Sequence, residues 1–381
     1  MMRNPAAEPA GAGRSGTERG HAETLAWGTL VRRLFGTAVR RRTPIAGSLA
    51  LTYRCNLSCA HCYLRGSRGG VELSTEKWLE IVRQVRRAGC FWLLLTGGEP
   101  LLRPDFARIY LEARRRGMLV SVFTNGLLVD DAVVDLWREH PPHEVEISLY
   151  GYSRRVYGEV TGNPDARDAC FDAARRLVRA GVPLRLKTMA LRGNVGELPR
   201  LREFAQKLGA PFRFDAAVSP TLHGSKETCR MALDGDAALR LETADPDRMR
   251  AWSGFLGSRP APPPRRTLFD CGGGRYSFFV GPDGRLSVCP YDVGVHDLAS
   301  GSFAAGWRGP IRRRRALPLP ASHACRGCTA RSFCNVCPPL ARMTTGSETG
   351  VPRAECRLGR ERARAIRLRL DASAVRKGCD S

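Results

Sequence analysis

Cys55, Cys59 and Cys62 stand four and three residues apart in the stretch Cys55-Asn56-Leu57-Ser58-Cys59-Ala60-His61-Cys62-Tyr63. Thiols gathered this tightly point to a metal, and soft sulfur ligands select iron–sulfur, zinc or copper(I). On a helix, Cys55 and Cys62 would lie about 10 Å apart along the axis, too far for one compact site, so a loop curled around the metal is expected. Three ligands leave one position open, and open positions are where metals do chemistry. A structural zinc loop, or buried cysteines without a metal, are the plainer readings of the same residues.

A second cysteine set begins at Cys271 and continues through Cys289, the run Cys325-x2-Cys328-x5-Cys334-x2-Cys337, and Cys356. Two C-x2-C pairs standing alone would suggest a zinc ribbon. Between Cys271 and Cys289, the segment Gly281-Pro282-Asp283-Gly284 reads as a hairpin turn joining Tyr276–Val280 to Arg285–Val288. Of the other cysteines among the 14 in the chain, Cys90 and Cys170 sit in or beside helical patterns and are assigned to the core. Cys379 falls in a tail, and Cys229 is a spare thiol in a segment that could face an active site.

The 381 residues can hold a large domain and a smaller one. No apolar run reaches membrane-spanning length and no signal-peptide pattern opens the chain, so the cysteines read as metal ligands in a reducing cytoplasm rather than as a disulfide framework. The net charge is +24. The arginines are scattered over helix-like segments without interleaved aromatics, Arg312–Arg315 being the dense run, so solvated faces or attraction to an acidic peptide or protein fit better than nucleic-acid binding.

The elements that must position these cysteines alternate. Strand-like runs occupy 48–53, 91–96, 119–124, 144–149, 183–190 and 211–216, with helix-like segments at about 75–88, 104–116, 130–139, 166–180 and 196–208. Ser74 or Thr75 is placed to cap the first helix, and Gly89, Gly117, Gly181 and Gly209 stand where helices should stop. Strand–helix repeats of this kind imply parallel strands with right-handed crossovers, in either an open doubly wound sheet or an incomplete barrel. In a barrel, chemistry gathers at the C-terminal ends of strands. The cysteine loop follows the first strand. The second ends in Thr96-Gly97-Gly98-Glu99-Pro100, where two glycines permit close backbone approach and Glu99 supplies an acceptor. The third ends in Thr124-Asn125-Gly126, which can also be a simple turn. The fourth contains Glu146-Ile147-Ser148-Leu149-Tyr150-Gly151, the fifth contains Lys187 between apolar neighbours, and Asn194 follows it.

The C-x3-C-x2-C loop with an aromatic after its last cysteine, followed at the next strand end by Gly97–Pro100, resembles the signature of the radical S-adenosylmethionine (SAM) enzymes. The resemblance implies an α/β fold, a partial (β/α)6 TIM-type barrel. It also implies that Cys55, Cys59 and Cys62 hold a [4Fe–4S] cluster whose fourth iron chelates SAM. It assigns Gly97, Gly98, Glu99 and Pro100 to the methionyl amine, Asn125 and Ser148 to the ribose, Tyr63 to the neighbourhood of the adenine, and Lys187 to a SAM or substrate carboxylate, with Asn194 a weaker contact. The seven later cysteines resemble the SPASM domain, which carries two auxiliary [4Fe–4S] clusters. By family order Cys271, Cys289 and Cys337 hold the first, and Cys325, Cys328, Cys334 and Cys356 the second. Residues 261–270 lack the additional cysteine of some members, so the first auxiliary cluster is expected to have an open iron or a ligand such as Asp270. The final C-x2-C is one residue shorter than in some members.

The expected organisation is a disordered tail over 1–21, a helical cap over 22–45, the barrel over 46–218, a bridge or linker over 219–266, the SPASM domain over 267–360 and a helix or tail over 361–381. The resemblance implies reductive cleavage of SAM to a 5′-deoxyadenosyl radical and oxidative modification of a ribosomally made peptide by crosslink, thioether or related chemistry. The alternatives are a maturase of a folded protein, of the sulfatase formylglycine type, a small-metabolite enzyme, or a zinc protein that binds nucleic acid. Expected partners are a precursor peptide or protein, an electron donor such as flavodoxin or ferredoxin, and a separate leader-binding protein, since the residues ahead of the barrel are too few for a winged-helix leader-binding domain.

Overall fold

The computed structural model describes residues 27–257 and 263–379; the expected tail over 1–21 lies outside the described residues. Helix α1 (Trp27–Arg41) leads into β1 (Ala46–Thr52), followed by α2 (Thr75–Arg87), β2 (Trp92–Gly97), α3 (Phe106–Arg115), β3 (Leu119–Thr124), α4 (Asp131–Glu139) and β4 (Glu144–Ser148). Helices α5 (Arg154–Thr161) and α6 (Ala166–Arg179) precede β5 (Leu184–Met189), and α7 (Leu198–Lys207) precedes β6 (Phe212–Asp215). Ser74 caps α2, its hydroxyl accepting from the Lys77 amide at 3.3 Å. Helix α5 has no counterpart among the sequence expectations. It is short and contains Gly158, so its pattern carries little helical signal, and it starts on a Ser153 cap.

Strands β1 to β6 are parallel neighbours in sequence order, as expected of a partial barrel. Strand alternation divides the two faces. Val145 and Ile147 of β4 join the main apolar core under the helices, whereas Glu146 and Ser148 point the other way, into the barrel. At the N-terminal rim, Leu34, Phe35 and Ala38 of α1 pack with Ile45, Ala46, Phe91, Trp92 and Tyr276, so α1 closes that end.

The hairpin β7 (Ser277–Val280) and β8 (Arg285–Ser287) forms as the turn residues imply. It does not stand apart: β7 pairs in parallel with β1, Ala46 opposite Ser277, and with β9 (His296–Asp297) the result is one nine-stranded sheet. A spacing rule that treats the C-terminal cysteines as their own unit has no means of registering that pairing, which depends on residues more than two hundred positions apart.

The remainder is largely helical. The bridge over 219–266 contains α8 (Gly235–Ala244) and α9 (Pro246–Gly257). Helix α10 (Phe303–Gly306) and α11 (Arg312–Ala316) flank a wide turn, and α12 (Pro338–Thr345) and α13 (Arg353–Cys379) end the chain. The bridge is packed rather than a linker. The buried carboxylate of Glu242 accepts from Arg362 of α13 at 2.6 and 3.1 Å, and Trp252 stacks on Phe333 at 4.9 Å. The proline run hid this, because its neighbours are polar in sequence yet paired in space. Among the described residues no helix is long and apolar enough to cross a membrane.

Candidate active site

The first cysteine loop leaves β1 and is held from several sides. The amides of Ser58 and Ala60 donate to the carbonyls of Thr161 and Val160, both at 2.9 Å. Helix α5, absent from the sequence expectations, is therefore what pins the loop. Cys59 is buried and Cys55 and Cys62 are half-buried. Burial raises all three thiols, and the charges of Cys55 and Cys62 raise Cys59 further. The Leu57 amide donates to the Cys55 sulfur at 3.5 Å, and the Leu64 amide similarly favours the thiolate of Cys62.

The Gly97–Pro100 turn meets this loop directly. The amides of Gly98 and Glu99 donate to the carbonyls of Thr52 and Arg54, each at 2.8 Å. A Cβ at Gly97 would collide with the Thr52 carbonyl oxygen, and one at Gly98 with that of Arg54. The glycines thus allow close approach to the start of the cysteine loop, not only to a ligand. Glu99 is fully buried. Its carboxylate accepts from the Thr124 hydroxyl at 2.8 Å, the Asn125 amide at 2.8 Å and the Leu101 amide at 3.1 Å. Burial raises its carboxyl to about 7 against the pull of those bonds. The carboxylate expected to face SAM also joins the β2 turn to the end of β3.

Asn125 is likewise turned to the cysteines. Its side-chain amide donates to Asn56 Oδ1 at 2.7 Å and to the Cys55 sulfur at 3.8 Å, and its oxygen accepts from the Leu127 amide at 2.9 Å. Asn194, the weaker expected cofactor contact, is engaged within the fold. Its Nδ2 donates to the carbonyls of Tyr150 at 2.8 Å and Met189 at 2.9 Å, and its oxygen accepts from Leu191 at 2.8 Å. Both donors are used, so it ties the ends of β4 and β5 together.

Facing the cysteine loop across the barrel is a polar wall. Glu146 is buried and receives Arg213 of β6 at 2.6 and 2.8 Å and Lys187 of β5 at 3.6 Å. Lys187 therefore meets an internal carboxylate. Burial lowers its pKa and Glu146 opposes that. Ser148 sits one step further up β4, beside the Tyr150 phenol. His61 faces the same wall, 4.8 Å from the Tyr150 ring, and burial with the Lys187 charge holds its imidazole down to about 4. Its Nδ1 is buried without a partner among the described residues.

The later cysteines form two neighbourhoods. Cys289 lies near Cys337 and Cys271, and burial pushes it up to about 12. Cys334 lies near Cys356, Cys325 and Cys328. Asp270 turns to Arg331 at 3.6 Å. The carboxylate whose charge reaches both Cys289 and Cys337 is Asp292, clamped by Arg314 at 2.5 and 3.1 Å. No sequence signal marked it. Tyr63 meets Tyr291 at 5.1 Å, linking the first loop to the Cys289 segment.

These donor sets fit iron–sulfur clusters. Buried, mutually repelling thiols become thiolates only beside a positive group, and amides two residues on already donate to the sulfurs of Cys55 and Cys334. Among the described residues no three such side chains close on a single-ion point, and a cubane spreads its thiolates over separate corners. The orphaned His61 Nδ1 adds an unmet hydrogen-bonding position beside the first set.

The model of the Radical SAM superfamily matches residues 49–205, the segment that carries the cysteine loop and β1 to β5. That segment is similar to the radical SAM superfamily. That family implies a [4Fe–4S] cluster and SAM, and the part of the chain after the match is rich in cysteine. The chain is 34% identical over 170 residues to the PqqA peptide cyclase of Granulibacter bethesdensis, an alignment covering 44% of this chain and 46% of that protein, so it matches less than half of that relative's length. It is 27% identical over 325 residues to the mycofactocin maturase MftC of Mycobacterium tuberculosis, covering 82% of this chain and 83% of the relative. Its fold is similar to that of Streptococcus suis SuiB bound to the precursor peptide SuiA, with a TM-score of 0.64, 14% identity and coverage of 88% and 82%. It is also similar to anSMEcpe with bound AdoMet and the Cp18Cys peptide, with a TM-score of 0.65, 15% identity and coverage of 87% and 99%.

Proposed function

We propose that this protein is a radical SAM enzyme that cleaves SAM reductively and oxidatively modifies a ribosomally synthesised peptide, acting in the cytoplasm. The observation that carries the reading is the barrel mouth. A three-cysteine loop at the end of β1 faces a polar wall of Glu146, Lys187 and Arg213, and a second, seven-cysteine region abuts it through Tyr63 and Tyr291. The similarity to MftC over most of both chains supports a peptide as the substrate.

When bound, the first cluster and SAM supply the radical that removes hydrogen from the substrate. The chain's own residues bind and aim. Cys55, Cys59 and Cys62 hold the cluster, and the Gly97–Pro100 backbone, Ser148 and Tyr63 line the space beside it. Lys187 and Arg213 stand where a substrate carboxylate would compete for them with Glu146. Cys271, Cys289 and Cys337 would hold one auxiliary cluster, with the Asp292 carboxylate in charge contact with two of them, and Cys325, Cys328, Cys334 and Cys356 the other. A flavodoxin or ferredoxin would supply electrons, and a separate protein would present the leader.

The test is anaerobic turnover with SAM, reductant and candidate precursor peptides. Release of 5′-deoxyadenosine together with a mass change on a peptide is expected, and Cys59→Ala should end both while retaining iron bound to the C-terminal cysteines. Zinc in place of iron, or modification of a folded protein or a small metabolite with every peptide left untouched, would overturn the proposal.

A further inference from the structure

Part of the large positive charge lies at the N-terminal rim of the barrel, the end opposite the strand end that carries the first cysteine loop. Cys55 follows the C-terminal end of β1, whereas Ser277, which opens β7, pairs with Ala46 at the N-terminal end of β1. The segment Cys271–Tyr276 therefore enters the sheet at the N-terminal rim. Two arginine-bearing pieces converge on it. The end of α1 is fixed there by the Phe35 ring edge-on to Tyr276 at 5.2 Å, and the Arg42 carbonyl accepts from Trp307 Nε1 at 2.8 Å. The stretch through α10 and α11 is fixed by Arg315, whose Nη1 lies 4.0 Å from the Cys271 sulfur. A Cβ at Gly274 would lie 3.3 Å from Ile311 and 3.6 Å from Arg315.

Arg40, Arg41, Arg42, Arg275, Arg308 and Arg312 are all exposed on these pieces. Some exposed arginines elsewhere pair, as Arg155 does with Glu159 and Arg154 with Asp168, while others such as Arg87 and Arg115 have no carboxylate partner among the described residues. None of these six has a carboxylate partner among the described residues. Uncompensated like charges on a folded surface repel one another and raise a positive potential that favours an acidic partner. Among the described residues no large apolar side chain is exposed on these pieces, the exposed ones being Val71, Val293 and Leu368, so the described face offers no stacking platform of the kind single-stranded nucleic acid uses.

We propose that this arginine face docks an acidic one-electron carrier protein of the flavodoxin type, beside Cys271. The inference rests on the reading above that Cys271 helps to hold an auxiliary cluster. The location selects a carrier over a peptide substrate. The face lies at the closed, α1-capped rim, away from the barrel mouth, yet within one residue contact of a cluster-set sulfur. The transfer moves a single electron from the carrier's reduced flavin, which is oxidised by one, to the group held at Cys271, which is reduced by one. No bond breaks and no proton moves.

The experiment titrates the iron-loaded protein with oxidised flavodoxin at low and high salt and reads the Kd. The variant Arg275→Glu/Arg308→Glu/Arg312→Glu is compared with a control of equal charge change on α4 and α6, Arg138→Glu/Arg175→Glu/Arg179→Glu. The first should weaken binding at least tenfold at low salt and the control less than twofold, with the difference fading as salt rises. The milder Arg275→Gln/Arg312→Gln pair should fall between them, which guards against loss through misfolding. Equal weakening by both triple variants, no weakening by either, or loss of precursor-peptide or nucleic-acid binding in place of flavodoxin binding would overturn the proposal. Iron content reports separately: normal auxiliary iron with unchanged affinity rejects the docking face alone, whereas absent auxiliary iron rejects the reading beneath it.

Discussion

The side-chain amide of Asn125 donates to the sulfur of Cys55 at 3.8 Å while donating to Asn56 Oδ1 at 2.7 Å. The end of β3 thus holds the first residue of the cysteine loop. Hydrogen bonds to cluster sulfurs stabilise the more negative, reduced state. A neutral bond is worth about 1 kcal/mol, on the order of 40 mV for one electron. Asn125→Ala should shift the first cluster's midpoint potential downward by that order without loss of its iron, as read by redox titration followed by electron paramagnetic resonance. An unchanged potential would mean that the contact does not tune the cluster.

Gly98 tests the other support of the loop. Its added Cβ would meet the Arg54 carbonyl, a backbone atom that cannot rotate away. Gly98→Ala should displace the chain immediately before Cys55 and reduce 5′-deoxyadenosine release by more than tenfold, with C-terminal iron retained. Activity within twofold of the parent would show that the loop tolerates the shift.

In α13, a Cβ on Gly359 would come within 2.9 Å of the Cys334 Cβ and 3.1 Å of its Cα. Helix propensity alone favours alanine over glycine by about 1 kcal/mol, so a purely local account expects stabilisation. The packing account expects the opposite. Gly359→Ala should lower the melting temperature and the iron bound at the set around Cys334, while the first cluster's SAM-dependent spectrum persists. A raised melting temperature with full iron content would refute the close packing.

Glu99 gives a pH dependence. Burial raises its carboxyl to about 7 from an ordinary 4.5, so the folded chain holds the proton more tightly than the unfolded chain. The resulting stabilisation is complete below about pH 4.5 and is lost as pH rises through about 7, a window worth about 3 kcal/mol. Glu99→Gln has no such proton. Its melting temperature should therefore improve relative to the parent between pH 5.5 and pH 8. A constant difference across that range would place the carboxyl's titration elsewhere.

Much of this site was readable along the chain because its signals are local. The spacing of Cys55, Cys59 and Cys62, the turn at Gly97–Pro100 and the strand–helix alternation each lie within a few consecutive residues, and the observed strands fall within about two residues of the expected ones. Asn194 and Glu99 show where such reading stops. A buried amide or carboxylate at a strand end has the chemistry to bind a ligand, but it also has the chemistry to bind backbone, and only the neighbours choose. Helix α5 and Asp292 carried no signal at all, since one acts through its carbonyls and the other through an arginine from a distant segment.

By itself, then, the sequence determined that sulfur ligands would lie on a loop at the end of a parallel strand, because thiol spacing and hydrophobic period are properties of adjacent residues. The tertiary structure alone decided that Glu99 braces β3, that Asn125 turns to Cys55, that β7 extends the barrel sheet beside β1, and that exposed arginines gather around Cys271. Those outcomes depend on the register and burial of segments far apart in the chain, and burial obliges each polar group to find whichever partner the fold brings within reach.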